Sequence, residues 1–539
     1  MIFPARNAQA NAELLKPIPE LRRSAFVVLS NALFFFICYL LLVCLSLGLV
    51  GISLWASIEL LSVKVSFYSG VIVFGIMGLS LMVFVLLVKF IFVRPSQADE
   101  QKVRIYPKHY PELFSFIHQV AQEVGTKKPK KVFITPDVNA TVSFNSTTSS
   151  LLFPTRKNLT IGLGLINCLT LVELKSVLAH EFGHFSQKSM RMGSYVHTVN
   201  RVINTTVFQY DQGDRLLEDW ASSGGFFGLF GVLTIRLSNG IRQLLAAIYR
   251  LVLRQFSKLS LQMEYHADLV AGWATDAKTV TSALRKIELA QYAYVYSQAL
   301  LDQYYQDTQK IPKDFFGFHA WAIQQMAAIH GGENLRGGYV LKHTSFEKLK
   351  EGKVHVQDIF ESHPSQAQRE NNLNKVTHAV ADEETMAWTI MDRKESIREF
   401  VTGILLDSKM AEEATDTTSL PEFLAWYQDT ILSEAMPEPF LSYFEGREIS
   451  APDENLGEAT PNSLSLSQAL GTEALERNQG LIGKKRDEAV LEEIALRTVW
   501  VRQFEYEQTV YKSSEARKVL RKVREQIEED KKWLKQNDQ

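Results

Sequence analysis

Two long uncharged runs near the amino terminus constrain the fold more than any other feature. From Ser24 to Ile58 no charged residue occurs, and the middle of this run reads FFFICYLLLVCLSLGLVGISLW. A second uncharged run goes from Val65 to Val88 through FYSGVIVFGIMGLSLMVFVLLV. About 20 apolar residues cross a bilayer as a helix, and both runs exceed that. The competing readings are a buried core helix and a cleaved signal peptide. Core helices are seldom this long and this evenly apolar, and the apolar part of a signal peptide is shorter. The expected element is a transmembrane helical hairpin over residues 25–93, after a tail over 1–24.

Flanking charge gives an orientation. The tail carries Arg6, Lys16, Arg22 and Arg23, and Lys89, Arg94, Lys102, Arg104 and Lys108 follow the second run. The loop between the runs holds only Glu59 and Lys64. By the positive-inside rule both flanks face the cytoplasm, so the chain beyond about residue 94 is expected there.

The whole chain has 539 residues, room for two or three domains. Its 58 Lys+Arg against 60 Asp+Glu leave a net charge of -2, which speaks against a nucleic-acid partner. The three cysteines, Cys38, Cys44 and Cys168, show no paired spacing for a disulfide framework or a thiolate metal site.

Past the apolar runs, Tyr110 to Val124 has apolar residues at helical spacing. KKVFITPDVNATVSF, SLLFP and NLTIGLGLI are β-rich runs split by Pro, Asn and Ser, so a small sheet of about three strands is expected. LTLVELKSVLAHEFGHFSQ then reads as one helix. Thr170 is placed to cap it, with Glu173 three residues on, a capping-box pattern.

That helix contains His180-Glu181-x-x-His184. Positions i and i+4 share a helix face, so the two imidazoles can meet one ion. Zn2+ takes nitrogen ligands at about 2.0–2.1 Å, and a catalytic site keeps one position for water. Glu181 can reach that water and take its proton, which the metal makes acidic near neutral pH. The motif alone is only suggestive; two core histidines and a chance glutamate give the same letters. A third ligand is needed. In SLQMEYHADLVAGWATD, Met263, Ala267, Val270, Ala271 and Ala274 suggest a tight helix with a small-residue face. Glu264 and Asp268 share another face. Glu264 can bind the metal, and Asp268 can accept the second ring N–H of a ligand histidine. An ordinary surface Glu/Asp pair is the alternative. His266 points off that face and reads as structural or exposed.

These residues together resemble the HtpX and CAAX prenyl protease family of membrane zinc metalloendopeptidases, gluzincins with HExxH followed by ExxAD. HEFGH and EYHAD carry the resemblance, supported by VNATVSF, by GLGLINCLTLVELKSVLAHEFGHFSQ and by SHPSQAQRENNL, over roughly residues 105 to 375 plus the apolar hairpin. The resemblance implies one Zn2+ per chain held by His180, His184 and Glu264, with Glu181 as general base and Asp268 orienting His180. It places Asn139 and His363 near the metal, as oxyanion donors or gates, and Arg369 as an anchor of the His-Pro loop. Protein or peptide substrates, membrane proteins among them, and a role in membrane or cytosolic protein quality control follow from the same resemblance. So does a bacterial inner (cell) membrane location with the catalytic domain on the cytoplasmic side. Oligomeric state stays open.

One segment departs from the family. GGFFGLFGVLTIRLSNGIRQLLAAIYRLVLRQF is apolar but interrupted by Arg236, Arg242, Arg250 and Arg254. A charge at the bilayer centre costs about 2.5 kcal/mol or more, so amphipathic helices on the membrane or against the catalytic domain are expected, with a buried core pair as the alternative.

The expected fold is mainly α with a small β-sheet, an α+β zincin-like catalytic domain. The N-terminal hairpin precedes it and a helical C-terminal extension follows. The metalloprotease domain spans 103–380 with an amphipathic or membrane-associated insert near 225–258. A helical region covers 381–449, including Ala387 to Lys409, then a linker over 450–467 and a charged helical region over 468–539. Near the end, Ala516, Leu520, Val523, Ile527 and Leu534 form a short apolar seam broken by Asp530. A coiled coil and a solvated helix packed on its own domain both fit it. A signalling or scaffold protein that keeps the zinc fold is the alternative function, although an intact Glu181 has no use there. A prenyl-protein endopeptidase is a narrower one, since two spans are few for a large membrane chamber.

Overall fold

The structure is a computed structural model. It describes residues 19–63, 65–92, 102–144, 157–186, 212–329, 333–335, 338–340, 354–355, 364–379, 384–406, 414, 416–433, 440–444, 446–447, 470–496, 503–507 and 509–538. The expected strand in SLLFP, His363 and the linker over 450–467 lie outside the described residues.

The apolar runs form two helices. Helix α1 (Pro19–Val63) has 45 residues, about 68 Å at 1.5 Å per residue. Helix α2 (Phe67–Phe92) has 26 residues and packs on α1. Arg23–Val63 and Phe67–Val85 are each long and apolar enough to cross a membrane.

Strand β1 (Val103–Ile105) and helix α3 (Pro111–Glu123) come next, then β2 (Lys131–Thr135), β3 (Ala140–Phe144) and β4 (Lys157–Gly162). They make a mixed four-stranded sheet in the order β1-β2-β4-β3. Strands β2 and β4 are parallel, and each edge strand is antiparallel to its neighbour. Strands β2 and β3 both come from the run KKVFITPDVNATVSF and β4 from the run NLTIGLGLI, while β1 is only three residues long, too short for an alternation to register.

A short helix α4 (Leu163–Cys168) leads into α5 (Leu171–Ser186). The expected capping box is present. The Glu173 carboxylate accepts from the Thr170 N–H at 2.9 Å, and Thr170 Oγ1 accepts from the Glu173 N–H at 3.4 Å. Glu173 also lies 2.9 Å from Lys286 Nζ and accepts from Ser282 Oγ at 2.6 Å, all three groups being buried. A buried carboxylate is tolerated when paired and hydrogen-bonded in this way. It ties the start of α5 to the helix that carries Ser282 and Lys286.

Helix α6 (Gln212–Ser222) precedes α7 (Gly225–Ala274), a continuous helix of 50 residues. The segment near 225–258, expected as an amphipathic or membrane-associated insert, lies within this helix. It is the first part of the helix that carries Glu264 and Asp268, since no proline interrupts the span. Leu245, Tyr249, Val252, Phe256, Leu259 and Met263 of α7 share a buried cluster with Leu21, Ala25, Val28, Ala32, Phe35 and Tyr39 of α1. Both sets advance in alternating steps of four and three, the spacing of interlocking helix seams. Val83 and Leu87 of α2 complete the cluster, and the Tyr39 hydroxyl donates to the Leu87 carbonyl.

Helix α8 (Ala277–Thr308) starts at Asp276, whose carboxylate accepts from the Thr279 N–H at 2.6 Å. Helix α9 (Phe315–Ile329), strand β5 (Val354–His355) and helix α10 (Gln366–Leu373) follow. Ser365 and Gln368 form a capping box on α10. The expected helix from Ala387 to Lys409 is broken: a 3-10 turn, Ala387–Ile390, gives way to α11 (Lys394–Leu405). Arg393, with φ 54°, turns the chain between them. The end of the sheet, α3, α4, α5, the last turns of α7, α8, α9 and α11 share one large core.

The carboxyl-terminal helices α12 (Thr472–Leu496) and α13 (Ala516–Asp538) flank strands β6 (Gln503–Tyr506) and β7 (Thr509–Lys512). They have their own core, centred on Leu491, Phe504, Tyr506 and Val523. The seam residues Ala516, Leu520, Val523, Ile527 and Leu534 are buried there, so α13 packs within its own unit. Asp530, which breaks the seam, pairs with Lys484 and Arg477 of α12. Strand β6 also recruits β5, in the order β7-β6-β5.

Candidate metal centre

Two crossing helices build the site. Helix α5 presents His180 and His184 one turn apart, with ring planes at 88° and Nε2 atoms 3.3 Å apart. Helix α7 presents Glu264, whose carboxylate oxygens lie 3.3 Å from His180 Nε2 and 3.6 Å from His184 Nε2. Donors at about 2.0–2.1 Å from a tetrahedral ion sit about 3.4 Å from one another, close to these separations, which involve one nitrogen of each ring and one oxygen each way from the Glu264 carboxylate. The Glu181 carboxylate belongs to the same cluster: donor atoms of His180, Glu181 and His184 all lie within 4.8 Å of one another.

The crossing is close because its residues are small. A Cβ on Gly183, the glycine of HEFGH, would stand 3.1 Å from Val270 Cβ and 3.3 Å from Ala267 Cα. On the far side of α7, a Cβ on Gly272 would come within 2.8 Å of Val376 and 3.3 Å of Leu373. The small-residue face read from the sequence is thus pinched between α5 and the end of α10.

Asp268 is fully buried, and its Oδ1 lies 3.0 Å from His180 Nδ1. The distance is that of an ion pair, but the alignment is not that of a hydrogen bond, since His180 Nδ1 has no hydrogen-bond partner of good geometry. The pairing suits a ring proton on Nδ1, with Nε2 turned toward the cluster. Arg369 grips the same carboxylate as a fork, with Nε on Oδ2 at 2.9 Å and Nη2 on Oδ1 at 2.6 Å. Arg369, expected as an anchor of the His-Pro loop, thereby ties α10 to Asp268, while His363 itself lies outside the described residues. Helix α10 is itself held by Arg285 on Glu370 at 3.1 Å and by Asn372 Nδ2 on the Tyr265 carbonyl at 2.8 Å. Nothing in the sequence pairs these residues, which stand about a hundred positions apart in the chain.

The electrostatics follow from burial and these contacts. Burial pushes the Glu181 carboxyl up to about 7, against the neighbouring His180 and a hydrogen bond from the Val142 backbone, which lower it. Burial disfavours the His180 cation, yet the hydrogen bonds to Asp268 and Glu264 outweigh it and raise the ring to about 10. Burial also raises Asp268, and the bonds from Arg369 and His180 outweigh it, so its carboxyl is held below the ordinary range. Two carboxylates that hold a proton on His180 make a pocket suited to a cation, and a metal ion competes with that proton.

The Val142 contact places β3 beside Glu181, and β3 is an edge of the sheet. Sequence reasoning named the strand and missed this N–H. Asn139, just before β3, is exposed and turns its side-chain oxygen onto the Ala140 N–H at 2.8 Å. His266 is buried.

Searches of curated proteins and of solved structures gave no match. The model of peptidase family M48 matches residues 107–377, a span running from just before α3 to just past α10 and holding every residue of the cluster. With that match over half of its length, the chain belongs to peptidase family M48 and is a metallopeptidase.

Proposed function

We propose that the protein is a membrane-anchored zinc metalloendopeptidase. His180, His184 and Glu264 would hold the zinc ion, and α1 and α2 would form the transmembrane hairpin, with the peptidase domain in the cytoplasm. The observation that carries this reading is the convergence of both ring nitrogens and both Glu264 oxygens, His180 Nε2 3.3 Å from His184 Nε2 and from Glu264 Oε2 and His184 Nε2 3.6 Å from Glu264 Oε1, from two helices that meet at Gly183. Glu264 rather than Glu181 takes the third ligand position, because its oxygens match those separations and Glu181 already accepts from Val142.

When bound, zinc supplies positive charge that polarises the scissile carbonyl and makes water acidic near neutral pH. The chain's own residues do the rest. Glu181 takes the proton of the attacking water and later delivers it to the leaving amine. Asp268 holds the Nδ1 proton of His180 and fixes the ring, and Arg369 fixes Asp268. The edge of β3 that pairs with no strand among the described residues accepts the substrate as an added strand, which makes cleavage tolerant of sequence. His363 and Asn139 would supply further donors to the oxyanion.

The test compares wild type with Glu181→Gln in detergent, reading metal content and casein cleavage. Zinc in both with cleavage by wild type alone is the expected result. Zinc in both with cleavage by neither returns the scaffold reading. Absence of zinc from zinc-loaded wild type overturns the metal site.

A further inference from the structure

Helix α10 has eight residues, and a helix that short does not hold itself together in water. Among its described side chains only Leu373 is buried, with Val376 just beyond its end, so its place depends on a few directed contacts. Those contacts put it in the corner between α7 and α8. Toward α7, Arg369 forks Asp268, and Asn372 Nδ2 donates to the Tyr265 carbonyl at 2.8 Å. Toward α8, Arg285 forks the next residue, Glu370, with Nε on Oε1 and Nη2 on Oε2, both at 3.1 Å. At the corner itself His378 Nε2 lies 2.7 Å from the Thr275 carbonyl.

The pairs close a ring. Arg285 on α8 is followed by Lys286, whose Nζ lies 2.9 Å from Glu173 at the start of α5. Helix α5 carries His180, whose Nδ1 lies 3.0 Å from Asp268 on α7. Asp268 is gripped by Arg369, and Arg369 is followed by Glu370, which returns to Arg285. Twice, adjacent residues of one helix pass the contact to two different helices: Arg285 and Lys286 on α8, Arg369 and Glu370 on α10. Helices α5, α7, α8 and α10 are thus joined in one circuit of paired groups that runs through the His180 ring. Its links differ in access to water. The side chains of Glu173, Lys286 and Asp268 are 0%, 1% and 0% exposed, whereas Arg285 and Glu370 are 28% and 23% exposed. A shift at a buried link would strand a buried charge, so the circuit gives first between Arg285 and Glu370.

We propose that Arg285 and Glu370 are positioning residues of the metal site, acting through Arg369 on Asp268 and so on the His180 ring. The inference rests on the zinc reading of that site and not on its cleavage chemistry. A half-exposed ion pair contributes little to folding by itself. This pair closes a circuit, so its loss is felt at the far side, as a His180 ring held less firmly, and hardly in the stability of the fold.

The experiment measures the zinc affinity of the full chain in detergent by competition with a chelator, and its melting temperature beside it. Arg285→Met should weaken zinc binding about fivefold, the size of a coupling carried through paired and packed groups, with the melting temperature nearly unchanged. Glu370→Gln should do the same, since it opens the same link. Both effects should vanish in an Arg369→Leu background, where the circuit is already cut. Arg398→Met removes a fork of similar exposure, Arg398 on Asp314, that lies outside the circuit, and should leave zinc affinity as it is. Wild-type zinc affinity in both Arg285→Met and Glu370→Gln overturns the inference. So does a loss of the same size with and without Arg369, or an equal loss in Arg398→Met. A wild type that binds zinc and cleaves nothing overturns the peptidase chemistry and leaves this inference standing. A wild type that takes up no zinc overturns the metal reading and this inference with it.

Discussion

The two halves of α7 are held in opposite ways. Toward α1 the contact is made by large side chains, Phe35, Tyr39, Tyr249 and Phe256, in a four-three rhythm. Toward α5 and α10 it is made at glycines, with Gly183 against Ala267 Cα and the Val270 side chain, and Gly272 against the Leu373 and Val376 side chains. Glu264 follows Met263, the last residue of the first cluster, and Asp268 precedes Leu269, the first α7 residue of the main core. Glu264 and Asp268, the two carboxylates of the candidate metal centre, stand where one packing regime ends and the other begins. Large side chains can share a volume change among neighbours, so a seam tolerates conservative swaps. A crossing made at glycines has no such slack, and there the spacing of His180, His184 and Glu264 is set.

Five measurements test that contrast. Glu181→Gln leaves the crossing untouched and should remove at least about a hundredfold of the cleavage rate at unchanged zinc content. Retained cleavage would place the base elsewhere. Gly183→Val should force α5 and α7 apart at a cost of about 1–3 kcal/mol, with a matching fall in zinc affinity. A variant that binds zinc as wild type does would break the contrast between the two halves. Asp268→Ala should lower zinc affinity about 10–100-fold. Arg369→Leu should move it the same way by less, and Arg369→Lys should not restore it, because an ammonium cannot reproduce the fork. On the seam, Phe35→Leu should cost under about 1.5 kcal/mol and leave zinc content and cleavage intact; loss of zinc there would mean the two halves are coupled.

The smallest effect at neutral pH concerns the main core. His319 is buried, with Nε2 2.9 Å from the Ala290 carbonyl and Nδ1 3.2 Å from the Asn167 amide. Burial lowers its pKa to about 4, against a weaker raising effect of the Ala290 bond. The unfolded chain, with an ordinary histidine near 6.5, binds more protons than the folded one between those values. Stability from keeping this ring neutral is therefore full above about pH 6.5 and is lost as pH falls toward 4, by about 3 kcal/mol. Urea midpoints across that window should be flatter in His319→Gln; equal slopes would refute the assignment.

Much of this protein is written in local pattern. The apolar runs specify α1 and α2 because length without charge is a local property. The capping pair Thr170 and Glu173 starts α5 where the sequence puts it, since both partners lie within one turn. The spacing of His180 and His184, and of Glu264 and Asp268, sets each pair on one helix face. Other features needed the tertiary structure. The four-three seam of α1 is hidden in its sequence because neighbouring positions are equally apolar, so no contrast marks the buried face. The continuity of α7 was obscured by its arginines, whose positions opposite the seam are visible only once α1 is packed against it. Arg369 meets Asp268 across 101 residues, and Val142 meets Glu181 through a backbone N–H that no side-chain code reports. The chain alone determined which groups exist and which share a helix face. Packing decided which faces meet, because contact between distant segments depends on the summed fit of two surfaces and not on either one.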